Sequence, residues 1–131
     1  MARMTKGEIS EFEALQGQLQ SFHQELTTLT KKSPNDALNK FKLGLINSAL
    51  KRANAFLGEE RRPFTDFEHF DEEALPSNSD VLMIVSQYLS AFEKLRADNA
   101  TMQWGKWYWV CSDDPPDKPS IRMATPRKID E

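Results

Sequence analysis

Between residues 6 and 30, large apolar side chains fall at Phe12, Leu15, Leu19, Phe22, Leu26 and Leu29, in alternating steps of three and four. Only an α-helix returns such positions to one side, so this stretch predicts a helix over 6–30 with a narrow apolar seam. Thr5, with Glu8 three residues on, has the capping-box form and marks its start. Glu11, Gln18 and Glu25 flank the seam. A stripe this narrow must be covered, and two covers are compatible with it. One is the rest of the same chain. The other is a second copy of the helix, which makes Phe12, Leu15, Leu19, Phe22, Leu26 and Leu29 a self-association interface and the protein a homodimeric coiled coil.

Ser33 and Pro34 resemble an N-cap followed by proline at the first helical position, so a second helix is expected over 34–58. The short connection implies an antiparallel helical hairpin with the first helix. Leu38, Leu45, Ala49, Ala53 and Phe56 make one stripe, widened by Leu43, Ile46, Leu50 and Leu57, and Gly58 reads as the stop. Lys40, Asn47, Lys51 and Asn54 line up opposite as a polar strip. Lys42 falls inside the apolar arc, where it either snorkels or meets a carboxylate.

Charge is unevenly spread. Residues 1–58 carry a net +3 and residues 59–80 a net −6. This acidic aromatic connection, 59–76, holds Phe64, Phe67 and Phe70 at intervals of three, as if one side of a short turn pinned it to the core. Thr65 and Glu68 repeat the capping-box spacing. Its carboxylates match no known metal-binding loop, and no metal is expected there. A third amphipathic helix follows over 78–98, its face made by Val81, Ile84, Val85, Tyr88, Phe92 and Leu95.

The last part changes character. Residues 106–111 are aromatic and β-branched, which favours a strand. Residues 112–120 are rich in aspartate and proline, a loop signal, and 121–125 alternate, so a β-hairpin over 106–125 with a tail from 126 is expected. The fold class is therefore mostly α in a single domain: a three-helix bundle, formed by a helical hairpin and a third amphipathic helix, with a short acidic turn and a C-terminal β-hairpin.

Function is less constrained. The 131-residue chain has a net charge of −3, which draws neither nucleic acid nor an anionic membrane by its global field. No apolar run approaches the length of a membrane span, and the N-terminus lacks the apolar core of a secretory leader. With one cysteine, Cys111, and two histidines, His23 and His69, a cytoplasmic protein without disulfide, metal or other cofactor is expected. Cys111 reads as a small buried residue rather than a nucleophile. The densest local feature is Trp104, Trp107, Tyr108 and Trp109. In a strand, Trp107 and Trp109 face one way and Tyr108 the other, so one face closes the core and the other is free for a partner. Two readings result. The first is a non-catalytic protein-interaction module, a self-associating adaptor or regulator, meeting its partner through Trp107, Tyr108 and Trp109. The second is a nucleic-acid-binding accessory protein that offers Lys40, Asn47, Lys51 and Asn54 to bases and phosphates.

Overall fold

Capping fixes where the first helix begins. The computed structural model describes residues 4–126. Helix α1 spans Lys6–Lys32, and both halves of the capping box are formed: Glu8 N–H donates to Thr5 Oγ1 at 3.2 Å and Thr5 N–H to Glu8 Oε1 at 2.9 Å. A third acceptor arrives from far along the chain, because Lys6 N–H donates to Asp113 Oδ2 at 2.9 Å. Three otherwise unpaired donors at this helix start are thus satisfied.

Helix α2 spans Lys40–Arg61 and helix α3 Asn78–Asp98. Gln16 reaches Glu93 and His23 reaches Ser86, so α1 and α3 run antiparallel. Glu25 meets Lys42 and Gln18 meets Arg52, which sets α1 antiparallel to α2 as well. The α1 seam lies between these two neighbours. Phe12, Leu15, Leu19 and Leu26 are at most 1% exposed, and Phe22 and Leu29 pack on the same core. Phe12 sits at its centre, with ring centroids 5.0 Å from Phe92, 5.1 Å from Trp109 and 6.0 Å from Phe56. The expected coiled-coil dimer through this seam is therefore corrected: its own chain has already removed the seam from water.

The start of α2 also differs from expectation. Ser33 closes α1, its N–H bonded to Leu29 O at 2.8 Å, and Asn39 is the N-cap of α2, accepting from Lys42 N–H at 3.1 Å. The intervening residues turn, Asp36 N–H donating to Ser33 O at 3.3 Å, and their carbonyls serve α3. Ser79 N–H donates to Pro34 O at 3.1 Å and Asn78 N–H to Asp36 O at 2.9 Å. These are two of the first N–H groups of α3, which have no partner within the helix. At its other end α2 breaks at Gly58, whose φ of 72° suits glycine, and continues for one short turn.

The acidic connection forms no helix at Thr65. Its one-turn 3₁₀ piece lies later, at Glu72–Ala74, where Asp71 accepts from Glu73 N–H at 3.0 Å. Strands β1 (Ala100–Gln103) and β2 (Lys106–Trp109) pair antiparallel in the register Ala100↔Trp109 to Gln103↔Lys106. The C-terminal hairpin thus turns at Trp104 and Gly105, not across the proline-rich loop. Residues 121–123 lie along the other edge of β2, with Trp109 N–H donating to Ile121 O at 2.9 Å and Met123 N–H to Trp107 O at 3.0 Å. The early reversal is favoured at the end of α3, where Val110 N–H donates to Asn99 O at 2.7 Å. Among the described residues no helix is long and apolar enough to cross a membrane.

Candidate interaction surfaces

The hairpin divides its aromatic residues between two faces. Trp109 points inward and is fully buried, its ring edge-on to Phe12 and its Nε1–H donating to Glu13 Oε2 at 3.4 Å. Trp107, on the same face, is partly buried against the core. Tyr108 points the other way. The Trp104 ring stands edge-on to it at 5.7 Å and 88°, and the Arg122 guanidinium lies over the Tyr108 ring, 5.5 Å from its centroid. The β-bridge between Tyr108 and Arg122 holds that cation in place.

Trp104 is the residue that sequence reasoning left out of its partner surface. It is 66% exposed at the turn, beside an exposed Met102. Its φ is 51° and that of Gly105 is 75°, the positive pair that a tight type I′ hairpin turn requires. A bulky residue rarely adopts such a φ, and this one is not compensated by burial of its side chain. The signal was present as an aromatic–glycine pair between two short strands. The outer surface therefore consists of Trp104, Tyr108 and Arg122, while Trp109 belongs to the core.

The polar strip of α2 is not a free face. Asn47 and Asn54 are 5% and 9% exposed. Asn47 Nδ2–H donates to Phe70 O at 3.0 Å and its Oδ1 accepts Phe70 N–H at 2.9 Å. Asn54 Nδ2–H donates to Glu68 O at 3.0 Å while its Oδ1 accepts the Tyr88 hydroxyl at 2.7 Å. Burial pushes the Tyr88 hydroxyl above its ordinary pKa of 10.0, and the Asn54 bond offsets part of that rise. Arg62 adds two donors to the same segment, to Phe64 O and Phe67 O. The acidic connection thus lies as a strap over the face once assigned to nucleic acid. Of that set only Lys51 and Lys40 stay exposed, and Lys40 lies 3.4 Å from Glu73. Lys42, the misfit, pairs with Glu25 of α1 rather than with the acidic connection.

A polar cleft of about 670 Å³ runs between α1 and α3 past His23, Ser86, Glu93 and Arg96. His23 Nε2 lies 3.1 Å from Ser86 Oγ, the contact of a nucleophile with its base. The hydroxyl proton, however, is directed to Leu82 O at 2.8 Å. The imidazole is therefore the donor, which is the reverse of what serine activation needs. Glu93 and Arg96 form a buried pair through Oε2 and Nη2 at 2.8 Å, backed by Gln16. Among the described residues no group of three or more histidine, cysteine, aspartate or glutamate side chains is placed to hold a metal ion. Cys111 is 3% exposed and bridges to Met4.

Comparison of the chain with family models, with curated proteins and with solved structures finds no match.

Proposed function

We propose that this chain is a non-catalytic protein-interaction module, an adaptor or regulator, which meets its partner through the outer face of the hairpin. The observation that carries this reading is Trp104, an indole held out at a turn with the Tyr108 ring edge-on to it, Tyr108 itself lying against the Arg122 guanidinium. Tryptophan, tyrosine and arginine are the residue types that dominate binding hot spots; the two aromatic rings bring large contact area with little rotamer freedom to lose, and the guanidinium brings a planar fork of donors. The contact between the two rings reduces that loss further. The matching surface is an apolar pocket for the indole with a carboxylate near Arg122. A cytoplasmic setting belongs to the same proposal and rests on the single cysteine.

The test compares tagged wild-type protein with Trp104→Ala and Tyr108→Ala in extracts of the native host. A stoichiometric protein retained by the wild type is lost by Trp104→Ala, whose circular dichroism and unfolding midpoint stay unchanged. Equal retention by the two, or no retained protein from the wild type, overturns the proposal.

A further inference from the structure

A second apolar surface lies between the last third of α1 and the first turns of α2. Its floor is Leu26, Leu38 and Ile46, each at most 3% exposed, and its walls are Phe22 and Leu45. They enclose a groove of about 250 Å³. At its edge stands Phe41, 75% exposed, and Leu45 beside it is 45% exposed. Phe41 follows the Asn39 cap by two residues, so the helix start fixes its backbone while nothing covers its ring. The rim carries one charge of each sign, Lys42 and Glu25, paired with each other and about half exposed.

We infer that this surface binds a second copy of the chain, in a two-fold dimer in which each Phe41 ring enters the groove of the other copy. Self-complementarity supports this occupant. A two-fold contact needs one patch to present both a projection and the hollow that receives it, and Phe41 and the groove are adjacent on one patch. The volumes agree, since an apolar cavity of about 150 Å³ already accommodates a benzene ring. The charges agree as well. In the arrangement proposed, the axis sets Lys42 of each copy against Glu25 of the other, so every rim charge gains an opposite neighbour. A ligand of a single sign would attract one rim residue and repel the other. One ring and a groove of about 250 Å³ per copy make a small contact beside the roughly 800 Å² per partner of a stable interface, so the dimer is weak and exchanges rapidly.

Sedimentation equilibrium of the full chain, from about 5 to about 500 µM, reads this association directly, a range that brackets micromolar affinity. The wild type shifts from monomer to dimer across it. Phe41→Asp, at an exposed site that leaves the circular dichroism unchanged, weakens association at least about thirtyfold, as loss of a hot-spot residue does. Lys42→Glu and Glu25→Lys are each monomeric alone, and their equimolar mixture associates, because every rim contact is then again between opposite charges. Trp104→Ala associates as the wild type does, which separates this surface from the hairpin. A wild type monomeric throughout overturns the inference. So does a dimer that survives Phe41→Asp, or a charge-swapped mixture that stays monomeric.

Discussion

Replacing Asn47 with alanine tests the strap most directly. Asn47 is 5% exposed and its amide makes both backbone hydrogen bonds of Phe70, at 2.9 and 3.0 Å. Alanine keeps the helix and removes both. A buried donor or acceptor left without a partner costs about 1–3 kcal/mol. Phe70 is only partly buried, so water reaches part of the freed backbone and the cost falls toward the lower end for each group. The expected loss is about 2–3 kcal/mol in total, a substantial share of the roughly 5–15 kcal/mol that holds a domain folded. Lys51→Ala is the control. It lies on the same strip but is exposed, and surface changes usually stay within about 0.5 kcal/mol.

Urea unfolding followed by circular dichroism measures both variants, with the slope of the transition checked for constancy so that the midpoint reports stability. Hydrogen exchange locates the effect. Phe70 N–H, protected in the wild type, exchanges rapidly in Asn47→Ala, while amides in the centre of α1 slow or quicken only with global stability. If Asn47→Ala falls within the error of Lys51→Ala, the strap is not held by this amide. The strip would then be a solvated face, and the case for nucleic acid on α2 would reopen.

Tyr88→Phe removes the hydroxyl bond to Asn54 and lowers stability at neutral pH by about 1–3 kcal/mol. The raised pKa of Tyr88 means that its stabilising contribution is present below the unfolded value of 10.0 and is lost as pH rises through the folded value, so wild-type stability drops in alkali and Tyr88→Phe loses less there. Urea midpoints at neutral and alkaline pH read both effects, and parallel losses in the two proteins would refute the assignment. Trp109→Ala costs about 3–5 kcal/mol, the range for tryptophan in a core, whereas Trp104→Ala leaves the midpoint within about 0.5 kcal/mol and abolishes most of the quenching of tryptophan fluorescence by iodide. Cys111, 3% exposed, reacts with a thiol reagent much more slowly than free cysteine until denaturant is added, and rapid labelling of the folded protein would count against its burial.

The helices were legible because their periods belong to the chain alone. Steps of three and four from Phe12 to Leu29 specify that an apolar cover exists. They do not specify whether that cover is α2 and α3 or a second copy, since either buries the same side chains. The helix starts show a related ambiguity. Ser33 with Pro34 is a good local cap signal, yet the structure places the cap of α2 at Asn39. The choice between them goes with the N–H groups of Asn78 and Ser79, which take their acceptors from Asp36 and Pro34 in the 34–36 turn, far earlier in the sequence.

Asparagine shows why the polar strip was misread. A helical wheel counts Asn47 and Asn54 with Lys51, because all three are polar. Their chemistry differs. An ammonium has donors only and is strongly hydrated, whereas a carboxamide carries a donor and an acceptor spaced to match one residue of extended backbone. An asparagine row on a helix therefore suits a strand or strap laid along it, and three phenylalanines at intervals of three in the next segment supply one. The wheel does not see this because the partner has no helical period.

The same distinction explains the hairpin. The density of aromatic residues over 106–109 made β2 legible, but its partner β1, Ala100–Gln103, contains alanine and glutamine and little that favours a strand. Pairing is enforced instead by the turn. Two positive-φ residues reverse the chain in register only when nothing separates them from the strands they join, and Gly105 satisfies one of those positions without strain. Trp104 must satisfy the other against its own preference, with its ring still in water. Replacing it with asparagine or glycine would relieve the backbone. Under the proposed function that cost is accepted because the indole has to reach a partner: it stays 66% exposed, with the Tyr108 ring edge-on to it.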